Sequence, residues 1–399
     1  MIPEIRATYN QLFSEEKYQA FLNDINSAFN HKITFRVAES PVFFDNEFKK
    51  RLLDAGDEIV DFLVNNDIKQ LTKHAIPEAL IVPNEDEHTT FLALDFAVCF
   101  DENQQAFPQL IELQGFPSLF AFQYYIGAKY KEYFYCPDGF SQFFNGIKPE
   151  EYIERFKALL LNGHQPDEVI LLEIEPDKQS TAIDFIITEK YTGVKPVCIT
   201  AVFVENGQLF YKNNGAKTRI KRIYNRVIFD ELLRRTDLQL NFHLTEEVDV
   251  EWAGHPNWFF RISKYLMPFI KSKFVPECKL LSDFETFPTD LENYVLKPLF
   301  SFSGAGVKFN LVQADLDEIL QQDRENFMLQ RKVKYEPVLT APDGRVKVEV
   351  RLLYFWEAAN KRPELMVNLS RLSKGDMIGV KFNKDKNWVG GNVCFFKQD

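Results

Sequence analysis

Several familiar chemistries are excluded by what this chain lacks. Its five cysteines (Cys99, Cys136, Cys198, Cys278, Cys394) are scattered and form no CxxC pair. They read as reduced, mostly buried thiols, which points to a cytoplasmic protein rather than a disulfide scaffold. The six histidines show no HExxH or comparable spacing, so a zinc site has no support. No apolar run approaches the ~20 residues that span a bilayer, and the first residues show no basic-then-apolar leader pattern. No GxGxxG follows a strand and no Gly-Lys-Ser/Thr closes a phosphate loop, which removes the Rossmann and Walker readings. Net positive charge is missing too: the formal charge is -11, which disfavours nucleic acid as a partner.

Aromatic apolar residues are present in quantity. Hydrophobic residues make up 45% of the chain and Phe alone counts 39, enough to build real cores with aromatic walls. A length of 399 residues exceeds one compact domain and suggests two or three. Residues 14–30 read as a helix. Residues 45–65 read as a stronger one, with Phe48, Leu52, Ala55, Ile59 and Phe62 at helical spacing. Both look like scaffold.

Chemistry first appears at residues 89–100, TTFLALDFAVCF, an apolar strand interrupted by Asp95. A polar turn and a return strand, 108–114, follow. Side chains alternate along a strand, so Glu112 and Gln114 share a face, and a hairpin brings Asp95 beside them. A carboxylate in an apolar strand must be paired or hold a cation. Two carboxylates and an amide oxygen are hard ligands suited to Mg²⁺, but a salt bridge or a solvated edge answers the same pattern.

From about residue 165 the pattern changes to alternating strands and helices: strands at 169–174 and 197–203, a helix at 181–191, short strands at 208–212 and 218–224, a helix at 229–235. This is a small α/β unit of the doubly wound sort. Residues 256–269 read as a helix carrying Lys264, with Lys271 and Lys273 as competing cations nearby. The run 294–309, YVLKPLFSFSGAGVKF, combines a buried strand, a small-residue loop and a returning strand at 307–311. Such a flap lets backbone N–H groups approach an anion, because Gly304 and Gly306 carry no Cβ. Lys297 at the strand end can supply a point charge there, though an ordinary hairpin with a surface lysine fits the same residues. Residues 315–322 read as a helix, and 327–333 as a strand. A long alternating strand, 345–356, presents Lys347, Glu349 and Arg351 on one face, and strands at 365–371 and 393–396 complete an antiparallel sheet.

Taken in order, these motifs resemble the ATP-grasp superfamily in its circularly permuted form, typified by glutathionylspermidine synthase. The matches are Leu94-Asp95-Phe96, Glu112-Leu113-Gln114, Phe116-Pro117-Ser118, Ser263-Lys264, Leu296-Lys297-Pro298 with Gly304 and Gly306, Glu349-Val350-Arg351, the segment ending at Arg371, and the run 383–389. The likeness covers roughly residues 90–395, each motif being short and their order carrying the argument. Two departures stand out. Ala93 occupies the position of the family's arginine, and Gln114 that of its metal-binding asparagine.

The resemblance implies a mixed α/β and α+β chain, an ATP-grasp (glutathione synthetase-like) fold with a small doubly wound domain before it. Residues 1–150 would contribute helices and the acid-bearing hairpin, 151–250 the α/β domain, and 251–399 the ATP-grasp lobes with the flap. It also implies an ATP- and Mg²⁺-dependent ligase joining a small-molecule acid to an amine through an acyl phosphate. Catalysis would fall to Arg351 and Arg371, and ATP to Lys264, Lys297, Ser303, Gly304, Ala305, Gly306, Gln330 and Lys332. The metal would fall to Asp95, Glu112 and Gln114. Because Ala93 and Gln114 depart from the pattern, a second hypothesis stands beside it: an ATP-binding protein without ligase activity, regulatory or partner-binding. Substrate-dependent ADP release separates the two. Neither the substrates nor the oligomeric state is written in these motifs.

Overall fold

The structure, a computed structural model, describes residues 1–300, 306–375, 378 and 383–398. Its centre is a six-stranded antiparallel sheet built from distant parts of the chain. The strand Gly344–Phe355 lies between Phe91–Phe100 and Glu364–Ser373, with Ala106–Gln114 and Gly390–Asn392 outside them and Leu339–Ala341 pairing at one end. The acid-bearing hairpin is therefore part of the same sheet as the arginine strands, not a separate piece docked against them. Both faces of the central strands are covered. Phe91–Phe100 is buried along nearly its whole length, which is why it reads as a continuous apolar run.

Local sequence explains how the helices form on this sheet. Asn46–Asn65 begins where the Asp45 side chain accepts a hydrogen bond from the Phe48 N–H at 2.9 Å, and it buries Phe48, Leu52, Ala55, Ile59 and Leu63. Its stripe runs through Leu63 rather than Phe62, which is half-buried. Pro149–Leu161 starts with proline in its first turn, as expected, and its C-cap is Asn162 with positive φ.

A second, fully parallel sheet has the order Glu251–Ala253, Arg222–Asn225, Val169–Glu173, Lys195–Cys198. Its own apolar cluster includes Ile170, Leu172, Ile223 and Trp252. Two expected strands divide here. The 197–203 run is interrupted by a short 3₁₀ turn, Ile199–Ala201. The 218–224 run splits into Ala216–Ile220, which belongs to a small antiparallel meander, and Arg222–Asn225. Pattern alone did not separate these: apolar residues run through 197–203, and at 218–224 Ile220 and Ile223 stand on either side of Lys221-Arg222, all within one β-like run.

A third sheet pairs Phe327–Arg331 between Cys278–Leu280 and Tyr294–Pro298. Residues 307–311 do not form the expected strand; only the bridge Leu296↔Lys308 joins them to it. The expected 256–269 helix is also broken. Trp258–Arg261 is one α-turn, and Ser263 then caps a 3₁₀ segment, Lys264–Phe269, containing Pro268. Proline removes a helix donor, and the Ser263 hydroxyl competes for the Tyr265 N–H at 3.2 Å. The 315–322 helix likewise becomes Gln313–Asp317 and the 3₁₀ turn Gln321–Asn326. Among the described residues, no helix is long and apolar enough to cross a membrane.

The broken Lys264 segment is seated on the hairpin at Gly115. Its N–H donates to the Ile262 carbonyl at 2.8 Å, and a Cβ there would lie 2.6 Å from the Trp258 carbonyl oxygen and 2.9 Å from Ile262 Cβ. Those neighbours are packed backbone and core, so they cannot move aside cheaply. Gly115→Ala is expected to destabilise the protein by about 1–3 kcal/mol, read from urea melts. A variant as stable as the parent would show that this contact is loose.

Candidate functional site

The register of the central sheet determines what meets at its middle. Arg351 lies directly opposite Asp95, Asp95 opposite Glu112, and Glu349 opposite Arg371. Directly paired residues in an antiparallel sheet project to the same face, so five charged side chains gather on one patch. Asp95 has no exposed surface. Arg351 donates to it through Nε and Nη2, both at 2.6 Å, and Arg371 Nη2 adds a contact at 3.3 Å. Arg371 also binds Glu349, whose other oxygen accepts the Tyr335 hydroxyl at 2.7 Å. Burial pushes the Asp95 carboxyl upward and the Arg351 guanidinium opposes it.

Glu112 sits at the rim of this patch, with its side chain partly exposed. Lys264 Nζ approaches it to 3.8 Å, and the Gln114 amide donates to it. Burial acts against ionisation, but Lys264, Arg351, Arg371 and Lys297 together outweigh it and hold Glu112 down at about 2. Lys297 projects from Tyr294–Pro298 and donates to the Ile111 carbonyl at 3.2 Å, next to Glu112. Burial lowers its ammonium to about 8, with Glu112 pulling the other way.

A cleft of about 200 Å³ opens beside these groups, lined by Glu112, Gln114, Lys264, Arg351 and Arg371 and by aromatic walls at Phe116, Phe259 and Phe300. Lys264 rather than Lys271 or Lys273 is the cation that reaches it. Gln330 is buried and faces Val295 and Cys278 across its sheet, while Lys332 is exposed with its N–H bonded to the Asn293 carbonyl. Neither lines the cleft. Gly306 has φ of +74° and packs against Pro298, so only glycine suits it; Ser303, Gly304 and Ala305 lie outside the described residues.

The proposed metal set does not present itself as one. Both Asp95 oxygens are held by arginine, and the Gln114 amide donates to Glu112 instead of joining it around a cation. Among the described residues no three acidic, histidine or cysteine groups come together as a metal site. Of the two readings open for Asp95, the geometry presents the ion pair. An apolar strand accepts its carboxylate because a guanidinium compensates the lost hydration.

Two further residues belong to this region: Tyr335, through its bond to Glu349, and Arg226. Arg226 lines the cleft with Ser118 and Thr181; Nη1 donates to the Pro117 carbonyl at 2.7 Å, and its buried Nε has no partner among the described residues. A usable signal existed. Arg226 follows directly on a strand of the parallel sheet, at the carboxyl ends where such sheets place their ligands.

No protein-family model matches the chain, and no curated protein matches its sequence. Among solved structures it is similar to a glutathione synthetase-like effector from Globodera pallida in its apo form. The TM-score is 0.60 at 9% identity, over 100% of this chain and 99% of that one. At that identity the likeness is one of fold. The chain has a mixed α/β architecture of the glutathione synthetase-like kind.

Removing one member of the central pair should be costly. Asp95→Asn leaves Arg351 buried without its counter-charge and is expected to lower stability by roughly 3–5 kcal/mol in urea melts of the ligand-free protein. A loss below about 1 kcal/mol would mean that the pair is not a structural element.

Proposed function

We propose that the cleft binds the phosphates of ATP and that the protein is an ATP-binding protein of glutathione synthetase-like fold. One observation carries the reading: Lys264, Lys297, Arg351 and Arg371, from four separated stretches, all act on the single carboxylate Glu112 at the cleft. Like charges repel, so such a group is stable only near anions, and three protein carboxylates leave positive charge over for a ligand. On this reading Lys264 and Lys297 serve as point charges for the α- and β-phosphates, and Arg351 and Arg371 for the terminal one. Residues 251–399 would then be the ATP-grasp lobes, 151–250 the preceding α/β domain, and the first 150 residues the source of the hairpin.

A second reading, an ATP-dependent ligase joining a carboxylate to an amine through an acyl phosphate, is favoured by Arg226. Its guanidinium, on the same lining as Ser118 and Thr181, offers the cleft a place for an acid substrate. Mg²⁺ would supply charge neutralisation for phosphoryl transfer. The committed state of Asp95 and the departures at Ala93 and Gln114 weigh for binding without ligation.

ATP is expected to raise the melting temperature, by mass action on the folded state, and Lys297→Ala to diminish that shift. An equal shift in the variant would remove Lys297 from the site. ADP release with mixed acids and amines would select the ligase reading, and stabilisation without turnover the binding one.

The pH dependence has a definite sign. An anion binds the protonated ammonium better, and Lys297 titrates near pH 8 because burial lowers it. ATP affinity, measured by calorimetry, should therefore fall as pH rises from 7 to 9. Lys297→Met should flatten that slope, and an undiminished slope in the variant would place the titration elsewhere.

A further inference from the structure

We infer that this cleft takes its anion without a divalent cation, the Arg351 guanidinium standing where a metal ion would have to sit. The inference rests on the cleft being a phosphate site. A small hard cation needs several oxygen donors in near-octahedral array at roughly 2.0–2.1 Å. Asp95 is the most enclosed carboxylate in the patch, and both its oxygens are spent on one guanidinium fork at 2.6 Å. Glu349 is spent on Arg371 and the Tyr335 hydroxyl. Glu112 receives the Gln114 amide on one oxygen and faces Lys264 with the other.

The arrangement is also hard to vacate. Arg351 and Asp95 are directly opposed residues on the two innermost strands, and their neighbours Leu352 and Leu94 are fully buried. Moving the guanidinium off Asp95 would leave a fully buried carboxylate without its counter-charge. A metal would have to displace a cation already held by two charge-assisted hydrogen bonds. A phosphate would not, because a guanidinium has five N–H donors and Asp95 takes two of them. Asp95 then serves as a positioning residue, presenting Arg351 to the cleft that it lines.

The test uses the full-length wild-type chain and two measurements. Calorimetric titration with the non-hydrolysable analogue β,γ-methylene-ATP is run in EDTA and in Mg²⁺ buffer. Mn²⁺ binding without nucleotide is followed by the electron paramagnetic resonance signal of the free ion. The expected result is the same affinity within about threefold in both buffers, and a free Mn²⁺ signal undiminished by protein. A loss of tenfold or more in EDTA, or capture of Mn²⁺ by the protein alone, overturns the inference while leaving the nucleotide reading intact. Binding in neither buffer removes the phosphate-site reading and this inference with it. Arg351→Lys keeps the charge but not the fork and should lower the metal-free affinity about tenfold. Unchanged affinity in a folded variant also counts against the proposal, and if the variant does not fold, the comparison on the wild-type chain decides.

Discussion

A buried ion pair between Arg351 and Asp95 is the constraint on which the central sheet and the cleft both depend. Removing two charges from water is costly, and their attraction repays that cost only with close geometry and the remaining donors and acceptors satisfied. Here the fork is two-pronged, and the surplus is passed outward through Arg371 to Glu349 and the Tyr335 hydroxyl. A slip of one residue would turn Asp95 and Arg351 to opposite faces, so the pair specifies register as well as tolerating burial. The hairpin at 91–114 and the strands at 344–373, far apart in sequence, are thereby held to one alignment.

That same alignment generates the site. Because two arginines inside the sheet face three acids, the lysines that arrive from Tyr294–Pro298 and Lys264–Phe269 turn the patch to a small positive surplus that can accept further negative charge. The position of Lys264 depends on a break: Ser263 and Pro268 shorten what would otherwise be a straight helix, and Gly115 lets the shortened segment lie against the hairpin. Packing at Gly115 and charge at Glu112 are thus one structural unit seen from two sides. A change in either would be felt in the other.

Chemistry and architecture were legible in the chain to different degrees. The isolated acid in TTFLALDFAVCF, the alternation of 345–356 and the stripe of 45–65 all announced their elements, because burial imposes a period on side chains wherever one face meets a core. Breaks inside strand-like runs were not legible, as at Ile199–Ala201 or between Ile220 and Arg222, where the chain changes sheets with no Gly, Pro or turn residue to mark it. The role of Arg226 was not legible for a related reason. Its type is equally suited to packing and to binding, and only its position after a parallel strand, beside Ser118 and Thr181, distinguishes them.

By itself the sequence determined that Asp95, Glu112, Arg351, Arg371, Lys264 and Lys297 are charges placed in or beside apolar elements, and hence that each needs a partner. Which partner each takes was decided only in three dimensions. A carboxylate in a buried strand can be satisfied equally well by a divalent cation or by a guanidinium, and nothing within ten residues of Asp95 chooses between them. The choice is made by a strand more than 240 residues further on, whose pairing brings Arg351 opposite Asp95. Local sequence specifies the need because desolvation acts on the group where it lies; tertiary pairing specifies the answer because the compensating charge arrives through register.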